Sequence, residues 1–374
     1  MKSDSKPIKI LIISGNLNHY KIKMLDYFNE NYNVNITILC GAGRIGQGDL
    51  DPDISSKLYL KKVNTLKKYF GFHPKVFFIL LKQFSDYDWI QIPREKKNLL
   101  LLIVSYILVK VEKLKGRRIR IFTITHPDFG YKVGISRIIN IFFLKTFNKF
   151  YNKILFYTEN SMNYAIKNQL VKDCKASYVN NTLYTKDIDR YYKFSYPSNN
   201  KKIILFIGRL IHTKRVDLLL KYYEKINLNL SDKGYKSELR IIGEGPFFDK
   251  INQAAKKDTS IKVLGGIVQE RFISKHMKDV NLVFIPGDSG LSINHAFCYG
   301  KPYATIKSEN HGPEINYLKN GINGFLLSGD FNSDVSKICS VLISNNKEIF
   351  DNAYETGKSL SVDTWCTQIM RNLR

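Results

Sequence analysis

Two basic residues in the second half of the sequence have the right chemistry to bind a phosphate. Arg209 and Lys214 lie five residues apart, just after an apolar run at residues 203–207. Arg offers a planar fork of N–H donors and Lys a mobile point charge, and the pair suits the oxygens of a diphosphate. Both cations are therefore predicted to bind one diphosphate.

A glycine-turned loop predicts a second part of the same site. Residues 287–292 follow an apolar run and precede a stretch that is compatible with a helix. Glycines let a ligand approach the backbone, and the first N–H groups of a helix attract anions. The predicted binding residues are Asp288, Ser289, Gly290, Leu291 and Ser292. An ordinary strand-loop-helix corner would show the same pattern.

Other glycines and one histidine also follow apolar runs. Gly208 precedes Arg209, and Gly243 and Gly245 form a tight turn after residues 241–242. Gly266 and Ile267 are predicted to present backbone groups to a flat base. His126 ends another apolar run beside a proline, which makes it a further candidate because ligands bind at the carboxyl ends of parallel strands.

Alternating strand and helix patterns are expected to position these residues. The strand-like runs are residues 8–14, 34–40, 89–92, 119–125, 154–158, 176–179, 203–207, 239–242, 262–264, 282–285 and 302–304. Helix-length segments separate them, which predicts parallel, doubly wound sheets. A polar stretch at residues 193–202 is the predicted linker. We therefore expect two Rossmann-like lobes with a cleft between them, over residues 1–195 and 196–360, and a final segment, 361–374, that crosses back to the first lobe.

The charge is strongly positive and unevenly distributed. The 374 residues carry a net charge of +25, and residues 1–200 hold 33 Lys or Arg against 15 Asp or Glu. Basic and apolar residues alternate in segments 61–84 and 137–153, as suits an anionic membrane surface. Solvated helix faces would explain the same composition. Nucleic acid is not the expected partner, because no nucleic-acid-binding motif is present.

The five scattered cysteines and the N-terminus bear on the cellular location. No CxxC spacing occurs, which favours a reducing compartment and argues against a zinc site. Residues 8–14 fit a first strand better than a signal peptide. The longest apolar stretch, residues 99–109, is about half the length that spans a bilayer. A cytoplasmic protein, peripheral at the inner face of the cell membrane, is expected.

Four motifs, in order and spacing, resemble the retaining glycosyltransferases of family 4, of the bacterial surface-polysaccharide type. They are GRLIHTKRVDLLL, IIGEGP, KVLGG and GLSINHAFCYGKPYAT...GPEINYLKNGINGFLL, within residues 203–327. The resemblance implies a GT-B fold whose second lobe binds a nucleotide-diphosphate sugar through Arg209 and Lys214. It also implies that Gly15 and Asn16 lie near the donor phosphates and that His126 contacts the transferred sugar.

The chain departs from this family at two positions. Members usually carry two glutamates eight residues apart, where this chain has Gly287 and His295. Asp288 is expected to serve the sugar hydroxyls, and His295 either hydrogen-bonds a ribose or is a buried helix residue. Glu314 matches a family position that faces the cleft, although it also suits the capping of a helix N-terminus.

The predicted activity is metal-independent transfer of a hexosyl group from a nucleotide-diphosphate sugar to a lipid-linked saccharide or other oligosaccharide. No cofactor is expected, and UDP-sugars are favoured over GDP-sugars. Two aspartate pairs, in residues 51–53 and 86–88, resemble metal-binding patterns, but their predicted positions lie outside the site. The alternatives are a GT-B sugar-nucleotide epimerase and a non-catalytic membrane-binding or nucleic-acid-binding protein on the same fold.

Overall fold

The chain folds into two compact units, each built around a parallel β-sheet. The computed structural model describes residues 6–14, 17, 19–40, 59–62, 74–95, 98–126, 135–198, 201–308, 310–344 and 346–374. Unit 1 comprises Met1–Asn180 and Asp363–Arg374, and unit 2 comprises Asn181–Val362. The prediction of two parallel-sheet α/β lobes is confirmed.

The sheet of unit 1 has seven strands, and all neighbouring strands run parallel. They are β1 (Ile8–Ser14), β2 (Val34–Cys40), β3 (Tyr59–Lys62), β4 (Trp89–Gln91), β5 (Arg120–Thr125), β6 (Lys153–Phe156) and β7 (Ala176–Tyr178). Their order across the sheet is β3-β2-β1-β4-β5-β6-β7. Four of the seven residues of β1 and two of the three of β4 are buried and the others are half-buried, as expected for a sheet that helices cover on both faces.

In the part of unit 1 that the structure describes, five helices connect these strands: α1 (His19–Asn31), α2 (Pro74–Gln83), α3 (Leu99–Leu114), α4 (Ile135–Phe150) and α5 (Glu159–Lys167). Helix α3 contains the apolar stretch noted in the sequence, and it is partly buried and partly exposed. Leu101 and Leu102 lie in the core, whereas Ile107 and Leu114 are exposed. Among the described residues, no helix has the length and apolar character needed to cross a membrane.

The sheet of unit 2 has six parallel strands in the order β10-β9-β8-β11-β12-β13. The strands are β8 (Lys202–Ile207), β9 (Ser237–Ile242), β10 (Ile261–Gly265), β11 (Leu282–Phe284), β12 (Tyr303–Ile306) and β13 (Gly324–Leu327). Every residue of β8 and β11 is buried, so the centre of this sheet reads as continuous apolar sequence. Its helices are α6 (Lys186–Tyr191), α7 (Val216–Ser231), α8 (Phe248–Lys257), α9 (Glu270–Met277), α10 (Leu291–Cys298), α11 (Phe331–Ser344) and α12 (Lys347–Ser359).

The last helix, α13 (Val362–Leu373), follows unit 2 in the chain but belongs almost entirely to unit 1. Trp365 packs edge-on against Phe28 at 5.9 Å between ring centroids. The indole N–H of the buried Trp89 donates to the carbonyl of Leu373 at 2.8 Å. Helix α13 therefore completes the core of the first unit.

Residues 181–195, assigned to the first lobe from the sequence, group with unit 2 in the structure. Ile188 of α6 is buried in the hydrophobic core of unit 2, and Leu183 and Tyr192 pack against that core. The side chain of Lys301, fully buried, donates to the carbonyl of Ser195. The chain thus passes from unit 1 to unit 2 between Asn180 and Asn181, before the polar stretch 193–202.

Candidate functional site

The loop after β8 carries both predicted cations. A 3₁₀ turn, His212–Lys214, follows Arg209, and Arg215 then adopts a left-handed conformation (φ 52°, ψ 47°) before α7 begins. A left-handed non-glycine residue is uncommon and marks a tightly determined corner. Arg209 is exposed and Lys214 is half-buried. The corner holds the two cations at the carboxyl end of a central strand.

Backbone hydrogen bonds join this loop to the one that follows β11. Gly287 N–H donates to the carbonyl of Lys214 at 3.2 Å, and Asp288 N–H donates to that of Thr213 at 2.8 Å. The Lys214 ammonium returns a hydrogen bond to the carbonyl of Asp288 at 2.5 Å. Two contacts of Lys214 and one of Thr213 therefore join this loop to the glycine-turned loop.

The close approach of the two loops explains the glycine at position 287. A Cβ atom there would lie 2.5 Å from the carbonyl carbon of Lys214 and 2.8 Å from its Cα. Backbone atoms cannot move aside as a flexible side chain can, so any side chain at this position would separate the loops. At position 287 the two loops are thus in direct backbone contact.

His311 holds the same loop from the other side. Ser289 N–H donates to Nδ1 of His311 at 3.0 Å, and Nε2 lies 2.9 Å from the carbonyl of Ile306. A backbone N–H can only donate and a carbonyl can only accept, so the hydrogen-bond partners assign a neutral ring with its proton on Nε2. Burial lowers the pKa of His311, and the nearby Lys214 adds to this, whereas the Ile306 carbonyl and Asp288 oppose it.

Ser289 itself supports the loop from inside. Its hydroxyl is almost fully buried and donates to the carbonyl of Gly287, 3.2 Å away, or to Thr305 Oγ1 at 3.1 Å. The hydroxyl of Tyr303 donates to Ser289 Oγ at 2.8 Å and also lies 2.9 Å from Ser292 Oγ. The hydroxyls of both predicted serines therefore take part in an internal network.

Four charged side chains interact at this edge of the sheet. Burial lowers the pKa of Lys214; Asp288 and Glu314 oppose that shift with their negative charge, and Arg209 adds to it. All four are predicted site residues on loops at this edge of the sheet, with the Lys214 ammonium bonded to the carbonyl of Asp288 and with Glu314 beside Gly290. A bound dianion would favour the protonated lysine, so the cluster suits a phosphate ligand.

Glu314 is buried and held in place by two asparagines. It lies in the 3₁₀ helix Pro313–Tyr317, and its Oε1 accepts a hydrogen bond from Nδ2 of Asn181. The carbonyl of Asn181 in turn accepts from Nδ2 of Asn294 at 2.6 Å. The supporting role of these asparagines was not predicted, because 133 and 113 residues separate the two bonded pairs.

Glycines leave space beside this carboxylate. A Cβ on Gly312 would lie 2.5 Å from Oε2 of Glu314, and one on Gly290 would lie 3.4 Å from it. The Gly312 N–H donates to the carbonyl of Ser289 at 2.6 Å. Oε2 of Glu314 is thus brought next to the beginning of α10.

His295 and Glu270, both half-buried, form a polar cluster with the buried Tyr299. Its Nε2 lies 3.0 Å from Oε1 of Glu270, and the Tyr299 hydroxyl donates to Oε2 at 2.6 Å. Burial acts to lower the pKa of His295, but the charge and hydrogen bond of Glu270 outweigh it and raise that pKa overall. Position 295 therefore places an imidazole beside a carboxylate from α9, a partner that the sequence analysis missed.

The remaining predicted glycines bring three loops of unit 2 into contact. Leu210 N–H donates to the carbonyl of Glu244 at 2.8 Å, and Gly243 N–H donates to that of Gly265 at 2.8 Å. A Cβ on Gly245 would lie 2.6 Å from the Leu210 carbonyl oxygen, and one on Gly266 would meet the Glu244 carboxylate at the same distance. Gly208 also joins this contact, because its N–H donates to the carbonyl of Ile242 at 3.0 Å. Gly266 is exposed, whereas Ile267 is half-buried and packs against the hydrophobic core of unit 2.

In unit 1, His126 is exposed at the end of β5. Its ring lies 4.5 Å from that of Tyr157, and Arg94 donates a hydrogen bond to its carbonyl. Arg94 is buried and also donates to Oδ1 of Asn148 at 3.2 Å. Arg94 was not singled out from the sequence, although it follows β4 as His126 follows β5.

Gly15, Asn16 and the aspartates at residues 51–53 lie outside the described residues. Asp88 accepts the backbone N–H of Lys9 at 2.8 Å, which ties its carboxylate to the start of β1. Among the described residues, no group of three or more His, Cys, Asp or Glu side chains is arranged to hold a metal ion.

Comparison with known proteins agrees with this architecture. Residues 188–354, which make up most of unit 2, match the family model described as glycosyl transferases group 1. None of the curated proteins matches the sequence.

Solved structures show the same fold over the whole chain. A structure of Anabaena Alr3699/HepE in complex with UDP aligns with a TM-score of 0.69 at 16% identity, over 98% of this chain and 99% of that chain. A glycosyltransferase from Rickettsia africae ESF-5 aligns with a TM-score of 0.70 at 14% identity, over 99% and 98%. Sucrose-phosphate synthase from Thermosynechococcus elongatus aligns with a TM-score of 0.62 at 12% identity, over 97% and 98%. The predicted GT-B fold is confirmed.

Proposed function

We propose that this protein is a retaining glycosyltransferase of the family 4 type, which moves a hexosyl group from a nucleotide-diphosphate sugar to a saccharide acceptor. The observation that carries the proposal is the contact between the loop of Lys214 and the loop that opens α10, where the Lys214 ammonium donates to the carbonyl of Asp288 and Glu314 lies beside Gly290. These residues lie within the part of the chain that matches the group 1 model.

The diphosphate would bind between the two cations and the N–H groups at the start of α10. The N–H groups of Gly287, Asp288 and Ser289 already have acceptors within the protein. Leu291 and Ser292 open the helix, where N–H groups have no acceptor in the preceding turn. Support from backbone and cations together is the usual way to hold phosphate at a helix N-terminus.

The sugar and the ribose would each meet a carboxylate. Oε2 of Glu314 next to Gly290 suits the hydroxyls of the transferred sugar, and Asp288 is a second candidate. The ribose hydroxyls would bind at Glu270, which His295 and Tyr299 hold in position. Gly266 and Ile267 would lie under the base. Preference for uridine is supported by neighbours such as Alr3699/HepE, whose structures contain UDP or UDP-glucose.

Transfer needs stabilisation of the leaving group more than a strong base. The bond from the anomeric carbon to the diphosphate oxygen breaks, and a bond to the acceptor hydroxyl oxygen forms. The acceptor proton passes to the departing phosphate oxygen, so no protein base is required. Arg209, Lys214 and the helix N–H groups stabilise the charge that develops on the diphosphate, and this supports metal-independent chemistry.

Residues of the first unit would bind the acceptor. His126 at the end of β5, with its carbonyl fixed by Arg94, is the candidate for contact with the transferred sugar. The basic character of residues 1–200 supports a lipid-linked acceptor at an anionic membrane surface, as in assembly of surface polysaccharides. In this proposal the protein acts at the cytoplasmic face of the membrane.

Thermal unfolding with a panel of nucleotide sugars tests the donor site. UDP-, GDP- and ADP-sugars are added with EDTA present, and a UDP-sugar at about 100 times its Kd should raise Tm by roughly 5 °C. Lys214→Met should remove this shift. Lys225→Met, which removes an exposed lysine on α7, should leave the shift unchanged. Absence of any shift with every nucleotide sugar would overturn the proposal.

Product analysis separates transfer from epimerisation. A transferase releases the nucleoside diphosphate as it forms a glycoside, whereas an epimerase changes the sugar and keeps a nucleotide sugar as product. NMR of the sugar nucleotides after incubation with a saccharide acceptor distinguishes the two outcomes. A binding protein without activity would show the thermal shift and neither product.

A further inference from the structure

Exposed apolar side chains are concentrated on three helices of unit 1. Seventeen large apolar side chains are exposed among the described residues, and ten of them lie on α2, α3 and α4. Leu114 is 90% exposed, Phe142 68%, Ile138 67% and Phe78 62%. Single exposed apolar residues are ordinary on a protein surface, but a concentration of this kind indicates an interaction surface.

The spacing places these side chains in stripes. On α3, Ile107, Val111 and Leu114 follow one another at intervals of four and three residues, which is one face of a helix. On α4, Ile138 and Phe142 are four residues apart in the same way. Each helix therefore has a second apolar face in addition to the face that packs on the sheet.

The three helices lie on the same side of the sheet. The inward side chains Leu80 of α2, Leu101 of α3 and Phe147 of α4 belong to one hydrophobic cluster with residues of the central strands. The strand order agrees, because the connections β3-α2-β4, β4-α3-β5 and β5-α4-β6 all proceed in one direction across the sheet. Their outward faces consequently form one surface, which we call the outer surface of α2–α4.

The charges on these helices are almost all positive. The three helices contain seven Lys or Arg residues and one acidic residue, Glu112. Glu112 is buried and paired with Lys115 at 2.8 Å and Arg117 at 3.1 Å. The exposed basic residues on the helices include Lys82, Lys110, Lys113, Lys145 and Lys149.

We propose that the outer surface of α2–α4 binds directly to an anionic phospholipid bilayer. Apolar and aromatic side chains enter the headgroup region, while lysines beside them reach the phosphates with their long side chains. The single sign of the charge selects a lipid surface over a protein partner, whose face would carry both signs. The inference rests on the proposed function, which places the acceptor at a membrane, but it names the surface and its residues.

Vesicle sedimentation tests the surface. The triple variant Phe78→Asp, Ile107→Asp, Phe142→Asp is compared with a control in unit 2, Leu228→Asp, Val268→Asp, Ile322→Asp. The control residues are 50–65% exposed, like those of the test variant. With vesicles containing about one-third phosphatidylglycerol, the test variant should bind at least about tenfold more weakly than wild type, and the control should bind as wild type.

Three results would overturn the proposal: no binding of wild type to anionic vesicles, equal binding to neutral phosphatidylcholine vesicles, or an equal loss in both triple variants. A milder variant, Leu114→Ser with Phe142→Ser, applies the same test if the aspartates prevent folding. The shift in Tm with a UDP-sugar should be the same in wild type and variants. This measurement separates failure of the membrane surface from failure of the donor site, which would abolish the shift and leave vesicle binding intact.

Discussion

The carboxyl edge of the second sheet and the outer surface of α2–α4 use charge in opposite ways. At the first, cations and carboxylates meet within a half-buried network that backbone hydrogen bonds hold in place. At the second, seven basic residues and one acidic residue accompany exposed apolar side chains. Helices α6–α12 of unit 2 carry twelve basic and ten acidic residues and only three of the exposed large apolar side chains.

The difference assigns the net positive charge and the binding of a small ligand to different parts of the molecule. A fixed arrangement of both signs can orient a small ligand, because each atom of the ligand meets a defined partner. A broad surface of one sign attracts an extended anionic partner without fixing its atoms. Helices α2–α4, with seven basic residues and one acidic residue, therefore suit the proposed docking surface, whereas the two basic and two acidic residues of the candidate donor site are balanced.

The largest effect is expected for Gly287→Glu, and normal donor binding by this variant would contradict the contrast between the two regions. The substitution introduces the residue type that the resemblance to family 4 implies for this position, but the new Cβ would clash with the backbone of Lys214. We expect UDP-sugar affinity to fall by about 100-fold or more and the protein to lose about 1–3 kcal/mol of stability, as in overpacked cores. Titration calorimetry and Tm measure both effects.

Gly290→Ala is the control for this substitution. Its Cβ would lie at an ordinary distance of 3.4 Å from Glu314, so Tm should stay near that of wild type. Vesicle binding should be unchanged in both variants. Normal donor binding by Gly287→Glu would show that the contact between the two loops is not needed.

Glu270→Gln tests the proposed ribose end of the donor site. The variant keeps the size of the side chain and a hydrogen-bond acceptor for Tyr299, but it removes the charge that faces His295. Affinity for UDP should fall by about tenfold, since a hydrogen bond to a charged group contributes roughly 1.5–3 kcal/mol. Glu244→Gln is a control on a neighbouring loop, and equal losses in the two variants would contradict the assignment.

The smallest expected effect is the pH dependence due to His311. Its pKa lies below the ordinary value, so the unfolded chain takes up a proton first as pH falls. The contribution of His311 to stability is thus fully present above about pH 6.5, the ordinary value, and is lost as pH falls through the lowered pKa. The protonated ring would also present N–H to the N–H of Ser289.

His311→Asn isolates this effect, because the amide oxygen can replace Nδ1 as acceptor and does not titrate. Between pH 7 and pH 5 the fall in Tm and in UDP-sugar affinity should be smaller in the variant than in wild type. His295 contributes with the opposite sign: its raised pKa gives stability at low pH that is lost as pH rises through that pKa. A wild-type profile identical to that of His311→Asn would exclude the role of His311.

Much of the fold could be predicted from the sequence, because central parallel strands are continuous apolar runs. The edge strands β3 and β13 were missed, since each has four residues and an edge strand needs no long apolar run. The position of the change of unit was also misplaced, because a polar stretch marks a linker only by composition.

The residues of the candidate site could be predicted from the sequence, but the contacts between them could not. Arg209, Lys214 and the loop at 287–292 follow neighbouring strands, and the carboxyl ends of such strands lie together. The bonds of His311 to Ser289, of Asn181 to Glu314 and of Arg94 to His126 join residues that are distant in sequence. Nothing in the spacing of these residues indicates which pairs meet.

Helix α13 has a consequence for the order in which the protein can fold. Unit 1 is discontinuous, since its last segment, Asp363–Arg374, is synthesised only after all of unit 2. The Tyr27 hydroxyl bonded to Asp363 at 2.5 Å and the indole of Trp89 bonded to Leu373 acquire these partners late. During translation the second unit can therefore complete its core before helix α13 is available to pack on the first unit. A fragment ending at Asn180 would leave the apolar surface that α13 covers exposed, where chaperones could bind or aggregation could begin.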